Sequence, residues 1–367
     1  MKELLRIADA LRRDPHPAVL ATLVRAEGSS YRRVGARLLL RSHQPRLGSI
    51  SGGCLEEDLA AHATNVLATG SPRTVVYDTT GENDLVWGAG LGCHGVVHVL
   101  LERIDGLSPI FARILDAWEN RRACVLVTTF QSTRAHPLGS HHLLVEKENN
   151  RDDAQPDLPA SWRDAARAVL AQERSRSLSF ATSEGTDEVF FEFLPPPTAL
   201  TLFGAGDDAQ PLVRLAAELG WRVHVFDTRP AYATEERFPE ATSVHVSPAH
   251  EAVAHAALDA RSCVVVMTHR YLDDRPILRD LLAKPVAYLG LLGPKKRARQ
   301  LLDELARDGV VVPPSLHERL HAPVGLDLGG GTPEEVALAI VAEIQATLSR
   351  RDARPLRERT RPIHLDD

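Results

Sequence analysis

The sequence predicts an α/β protein: an N-terminal mixed α+β domain followed by a Rossmann-like doubly wound parallel-sheet domain. Three observations predict it. Three consecutive prolines, Pro195-Pro196-Pro197, interrupt the chain, and neither a helix interior nor a central strand tolerates such a run. Beyond them, short apolar runs alternate with helical patterns, the signature of a parallel sheet covered on both faces. The first of those runs ends in Gly204-Ala205-Gly206-Asp207-Asp208-Ala209, a G-x-G-x-x-A turn between a strand and a helix. At 367 residues the chain also exceeds the roughly 250–300 residues at which a single core stops growing. The expected division is residues 1–194, a proline-rich linker at 195–199, a Rossmann-like domain at 200–349 and a flexible arginine-rich tail at 350–367.

In the first domain residues 2–13 read as a helix, with Leu4, Leu5, Ala8 and Leu11 on one face. Ala18–Val24 and Arg37–Leu40 read as strands. Next comes Gly48-Ser49-Ile50-Ser51-Gly52-Gly53-Cys54, which runs into Leu55-Glu56-Glu57-Asp58. Leu55–Thr69 reads as a helix, with acids in its first turn and Gly70 and Pro72 as its stop. Further strands are expected at Arg73–Tyr77, Gly95–Leu101, Cys124–Phe130, His141–Val145 and Glu188–Phe193, with a helix near Ser161–Gln172. The polar stretch Glu148–Asp153 reads as a solvated loop.

In the second domain the strands are Leu200–Phe203, Arg222–Phe226, Ser243–Val246, Cys263–Met267 and Val286–Leu289. The helix after the glycine turn carries Leu212, Leu215, Ala216 and Leu219 and ends at Gly220. The following strand finishes at Asp227, about twenty residues on, where a dinucleotide-binding fold places its ribose-binding acid. Thr268-His269 follows another strand and falls beside the point where strand order reverses, a usual ligand position. Gly325–Gly331 runs into Thr332-Pro333-Glu334-Glu335, a capping box with proline at the first helical position.

The glycine–cysteine loop at 48–54 carries the most chemical information. Glycines let backbone N–H groups approach a ligand, and a helix start offers unpaired donors and partial positive charge. That combination suits a phosphate, and the same field favours thiolate over thiol at Cys54. The plainer reading is a tight turn around a buried cysteine. A second such loop, Gly90-Leu91-Gly92-Cys93-His94-Gly95, precedes a strand. The sequence leaves open whether Cys54 and Cys93 form a disulfide, a metal pair or neither. Cys124 and Cys263 sit in apolar runs and read as core residues. No C-x-x-C spacing argues for a preformed zinc site.

A net charge of -6 argues against a general nucleic-acid binder. No apolar run is long enough to cross a bilayer. The N-terminus lacks the apolar core of a signal peptide. The expected compartment is the cytoplasm, with no membrane partner.

Together these segments resemble the XdhC/CoxI family, molybdenum-cofactor maturation and insertion chaperones for molybdenum hydroxylases of the xanthine dehydrogenase type. The pieces that carry the resemblance are RAEGSSYRRVGARLLL, GSISGGCLEEDLAAHA and GLGCHGVVHVLLE in the first domain. In the second they are LTLFGAGDDAQPLVRLAAELGWRVHVFDTRP, MTHRYLDDRPIL, AYLGLLGPKKRARQLL and GLDLGGGTPEEVALAIVAEI. The resemblance implies an accessory protein rather than a free-standing enzyme. It implies binding of the molybdenum cofactor (molybdopterin), help with its sulfuration and handover to the apo hydroxylase. A cysteine desulfurase is the second implied partner, and a homodimer the implied assembly. The family's motifs fall on Ser51, Gly52, Gly53 and Cys54, on Gly92, Cys93 and Gly95, on Gly204, Ala205 and Gly206, and on Thr268 and His269. Cys54 is expected nearest the metal or its terminal sulfur, with Cys93 the weaker candidate. Asp207 stands where many members carry histidine. Two rival readings use the same residues: an NAD(P)-dependent oxidoreductase with His269 as proton donor, and a docking scaffold that binds no small ligand.

Overall fold

The computed structural model describes residues 1–28, 30–41, 44–80, 95–132, 136–146, 158–183, 185–311 and 319–360. Gly92, Cys93, the polar loop at 148–153 and the end of the tail at 361–367 lie outside the described residues. The chain divides into two compact units, Met1–Pro196 and Pro197–Glu358.

The first unit holds two antiparallel sheets. Its elements are α1 (Lys2–Arg13), β1 (Pro17–Gly28), β2 (Arg37–Leu40), β3 (Leu47–Gly48), α2 (Glu56–Thr69), β4 (Arg73–Asp78) and β5 (Gly95–Asp105). They continue with α3 (Pro109–Glu119), β6 (Cys124–Gln131), β7 (His141–Val145), α4 (Ala160–Gln172), β8 (Arg176–Thr182) and β9 (Gly185–Leu194). The five-stranded sheet runs β3-β2-β1-β5-β4 and the four-stranded sheet β7-β6-β9-β8. Helix α2 lays Leu59, Ala63 and Val66 on Val19, Ala21, Leu23, Val99 and Leu101 of the first sheet. Its apolar spacing of three and four residues builds that face. Helix α4 does the same for the second sheet with Trp162, Ala166 and Val169. A buried ion pair joins the sheets: Arg37 on β2 donates through both terminal nitrogens to Glu192 on β9, with Nη1–Oε1 at 2.8 Å. Both residues are shielded from solvent, so each charge needs the other.

The mixed α+β expectation holds. Helix α3 and strands β3 and β8 are additions to the elements expected from sequence. The helix expected to begin at Leu55 begins at Glu56, with Leu55 as its N-cap, which sets Cys54 in the turn before the helix rather than on it.

The second unit is a doubly wound sheet. Its strands are β10 (Ala199–Phe203), β11 (Arg222–Asp227), β12 (Ser243–Val246), β13 (Ser262–Val266), β14 (Tyr288–Leu291) and β15 (Leu320–His321). The order is β12-β11-β10-β13-β14-β15, and every pairing is parallel. Helices α5 (Ala209–Glu218) and α9 (Pro333–Leu348) cover one face. Helices α6 (Ala249–His255), α7 (Tyr271–Leu282) and α8 (Lys295–Arg307) cover the other. Strand order reverses between β10 and β13, as the sequence predicts. The strand expected at Val286–Leu289 is shifted to Tyr288–Leu291, because residues 284–287 lead in as irregular chain after the helix.

The expected capping box at α9 is present. Thr332 accepts from Glu335 N–H, and Glu335 Oε2 accepts from Thr332 N–H at 2.9 Å and from Gly331 N–H at 2.8 Å. Thr332→Ala removes one half of the box. It should lower the unfolding free energy by about 1 kcal/mol, read as a lower urea midpoint with an unchanged slope.

Candidate functional site

The loop from Ser49 to Leu55 is folded around one carboxylate. Glu56 Oε1 accepts from Ser49 Oγ at 2.9 Å, Ile50 N–H at 3.0 Å and Ser51 N–H at 2.9 Å. Its Oε2 accepts from Ser51 Oγ at 2.5 Å, Gly53 N–H at 2.9 Å and Leu55 N–H at 3.2 Å. Gly52 N–H donates to Ser49 Oγ at 2.9 Å. Gly52 and Gly53 have φ of +82° and +132°, a region closed to most L-residues. These glycines therefore let the chain double back so that its N–H groups point at Glu56. Burial pushes the Glu56 carboxyl up, but the hydrogen bonds from Ser51, Ser49 and Ile50 outweigh it and hold the pKa at about 2.

This arrangement revises the electrostatics expected from the sequence. The donors a phosphate would take at Ser51 and Gly53 are already engaged by a permanent internal anion. What the loop presents outward is Cys54, a free and exposed thiol. The plainer reading, a cysteine buried in a turn, is excluded by that exposure.

Cys54 opens onto a cleft lined also by Tyr31, Arg32, Ser51, Tyr77 and Gly95. Three of the family-like sequence blocks thus meet at one place. Tyr31 and Arg32 come from the GSSYRR segment, Ser51 and Cys54 from SGGC, and Gly95 closes GLGCHG. Gly95 is clamped to the end of β4: its N–H donates to Thr79 Oγ1 at 3.1 Å, and Thr79 N–H donates to its carbonyl at 2.9 Å. Tyr77 O–H donates to Asp58 Oδ2 at 2.6 Å, which ties β4 to α2. Burial and the Asp58 carboxylate raise the Tyr77 phenol, so it stays a donor. Leu23, Ile50, Leu55 and Val97 supply the apolar wall. The sequence shows Glu56 only as one of the acids in a first helical turn, and local pattern does not bring Tyr31 to the Gly-Gly-Cys turn. The spacing of Ser51 and Glu56 around two glycines was the available signal for the first.

Among the described residues no group of three or more His, Cys, Asp or Glu side chains converges as a metal cage.

The second unit carries the other expected site residues at the carboxyl edge of its sheet. Gly204 has φ of +126° and packs directly on the Met267 carbonyl. Asp227, expected as a ribose ligand, accepts from Ala205 N–H at 2.7 Å and from Arg229 N–H, Nε and Nη2 at 2.8, 2.9 and 2.8 Å. Burial raises its carboxyl, but the Arg229 and Ala205 bonds bring it below the usual range. Arg229 is in turn stacked on Tyr232 at 3.9 Å. Asp208 leans over Gly206, with Oδ1 2.6 Å from where a Cβ would stand. Its Oδ2 lies 2.7 Å from His269 Nε2. Asp207 pairs with Arg237 at 2.8 Å. Thr268 is buried, donating to Asp274 Oδ1 at 2.5 Å and accepting from Arg270 N–H at 3.0 Å. Gly204, Gly206, Asp227, Thr268 and His269 do assemble at the strand-order reversal. In this arrangement Asp207 and Asp208 follow the glycine turn, and the Asp227 carboxylate is engaged by Arg229 and Ala205.

The chain thus carries two units, one a parallel sheet with a glycine turn at its reversal point and one presenting an exposed Gly-Gly-Cys thiol, the two-part make-up that the resemblance to XdhC proteins implies. The XdhC and CoxI family pattern matches residues 11–78, and the XdhC Rossmann domain pattern matches residues 200–344. The chain belongs to the XdhC and CoxI family. It is 35% identical over 343 residues to a probable xanthine dehydrogenase subunit of Bacillus subtilis, covering 93% of this chain and 96% of that protein. It is 25% identical over 346 residues to the molybdenum cofactor insertion chaperone PaoD of Escherichia coli, covering 94% and 87%. A crystal structure described as a xanthine dehydrogenase from Bacillus halodurans superposes with a TM-score of 0.76 at 30% identity, over 97% of this chain and 99% of that one. Among the described residues no helix is long and apolar enough to cross a membrane.

Proposed function

We propose that this chain is an accessory protein that binds the molybdenum cofactor, assists its sulfuration and inserts it into a molybdenum hydroxylase of the xanthine dehydrogenase type. Membership of the XdhC and CoxI family supports the reading, as does the resemblance to a molybdenum cofactor insertion chaperone. The observation that carries it is the exposed Cys54 thiol at the mouth of a cleft built from three family blocks. A thiolate is a soft ligand, suited to holding molybdenum or its terminal sulfur during transfer. Cys54 is the residue in contact with the metal, and Cys93 is its candidate second. The partners are the apo hydroxylase and a cysteine desulfurase that supplies sulfur, with the chain acting as a homodimer in the cytoplasm. NAD(P) is the cofactor of the rival oxidoreductase reading; in this structure Asp208 is engaged by His269 and Asp227 by Arg229.

The test is Cys54→Ala, produced with its hydroxylase partner. Folded variant should leave the hydroxylase with at least about tenfold less sulfurated, active enzyme, the scale on which one metal-contacting residue acts. The purified wild type should release a fluorescent oxidised pterin and molybdenum. Full hydroxylase activity with the folded variant rejects the role. Tight NADH binding with turnover moves the assignment to the oxidoreductase.

A further inference from the structure

The GSSYRR segment has no role in the account above beyond lining the cleft, yet its tyrosine is built in an unusual way. Tyr31 is 64% exposed, among the most exposed large side chains of the first unit. An exposed aromatic ring on a loop is ordinarily free to rotate. This one rests on the Gly-Gly-Cys turn. A Cβ at Gly52 would stand 2.7 Å from Tyr31 Cε1, 3.1 Å from Cζ and 3.3 Å from Cδ1, so only glycine lets the ring lie there. The loop on either side is fixed as well. Ser30 Oγ donates to the Arg32 carbonyl at 2.9 Å. The Arg32 guanidinium donates to both oxygens of Glu3 at 3.2 Å, anchoring the next residue to α1. The chain thus orders a large ring without burying it, and gains little hydrophobic stabilisation in return.

The chemistry of the neighbouring groups narrows what such a ring serves. Glu56 already occupies the loop donors that would have held a phosphate. Around the cleft mouth there remain a thiol, an apolar wall and an aromatic ring, while the Ser30 and Tyr77 hydroxyls donate to the Arg32 carbonyl and to Asp58 and the Arg32 guanidinium is paired with Glu3. That set recognises a flat heteroaromatic ring bearing a soft metal better than an anionic tail. Stacking on tyrosine needs only a π-face on the ligand and works without deep burial.

We infer that Tyr31, seated on Gly52, is the stacking platform for the pterin ring of the cargo, placing that ring so that its metal end reaches Cys54. The inference rests on the proposed function and assigns the aromatic part of the ligand to a named residue. It also gives Gly52 a purpose separate from Gly53: the first makes room for the ring, while the second, with nothing within 4 Å of its would-be Cβ, is required by its backbone angle.

The experiment uses the full chain and free, oxidised, metal-free pterin as the probe, followed by fluorescence titration. Tyr31→Ala should weaken pterin binding by about tenfold, the range expected when one stacked ring is removed. Tyr31→Phe, which keeps the face and loses only the hydroxyl, should stay within about twofold of wild type. The melting temperatures of both should match wild type, since the ring is exposed. Equal pterin affinity in wild type and Tyr31→Ala overturns the platform, as does a wild type that matures the hydroxylase yet binds no free pterin. A wild type that carries neither pterin nor molybdenum and leaves the hydroxylase unaffected overturns the underlying function, and the platform with it. Hydroxylase maturation, measured alongside the titration, tells the two failures apart.

Discussion

Glu56→Gln is expected to lower the unfolding free energy by about 3 kcal/mol at neutral pH. The carboxylate accepts six hydrogen bonds from the Ser49–Leu55 loop. An amide of the same shape replaces one acceptor oxygen with a donor that faces other donors. Burial in the absence of charge would be harmless, but stranding N–H groups around an amide nitrogen is not. The pH dependence gives an independent signature. The carboxyl sits at about 2 in the folded protein against an ordinary 4.5. A depressed folded pKa means the stabilisation is complete above about 4.5 and is lost as pH falls through about 2. Urea unfolding between pH 5 and pH 2 should therefore show a fall of about 3 kcal/mol in the wild type that Glu56→Gln lacks, once the other carboxylates, common to both proteins, are subtracted. Parallel stability curves for the two proteins over that window would refute the role of this carboxylate as the hub of the loop. Loss of the hub also frees Gly52 and Gly53, so the same variant should handicap whatever Cys54 does.

Of the four glycine-rich loops, the three within the described residues show what the sequence made legible and what it hid. The positions of the loops, the strands and helices that hold them and the capping box at Thr332 follow from local patterns, and they appear in the structure. The strand-order reversal between β10 and β13 follows from the alternation of strand and helix. The occupants of the loops do not. Glu56 returns to the Ser51–Gly53 donors, Asp227 to Ala205 N–H and Glu335 to Gly331 and Thr332. At the first two a carboxylate of the chain takes backbone donors where a glycine turn suggests a ligand phosphate, and at the third Glu335 closes the expected capping box. Glu56 lies within a turn of its loop and was open to the same reading as Thr332–Glu335. Asp227 arrives from the next strand, and only the folded sheet places it. Helix α3 was also legible, since Ser108 and Pro109 mark its start and Ser108 accepts from Phe111 N–H. Strand β8, with its half-exposed alternation of serine and apolar residues, carries too little hydrophobic contrast to stand out. The separation of the first unit into two sheets depends on long-range pairing of β6 with β9 and β1 with β5, which no local window contains.

Gly204→Ala should be the most damaging single methyl group in the second unit. At φ of +126° an alanine is strained before any contact is counted. The added Cβ would stand 2.3 Å from the Met267 carbonyl oxygen, 2.5 Å from its carbon and 2.8 Å from Thr268 N. Those are backbone atoms at the end of β13, and they cannot rotate away as a side chain does. Phe203 O accepts from Met267 N–H at 2.7 Å and Phe226 O accepts from Gly204 N–H at 2.8 Å, so moving either strand breaks the ladder at the reversal point. Strain and overlap together should cost at least about 4 kcal/mol, in the range reserved for backbone conflicts in a packed core. Gly331→Ala is the matched control, with nothing within 4 Å and no positive φ, and should cost about 0.5 kcal/mol or less. Thermal or urea unfolding of the two variants beside wild type checks the contrast. A Gly204→Ala protein as stable as Gly331→Ala would mean that β10 and β13 do not approach as closely as the packing of Gly204 on Met267 requires.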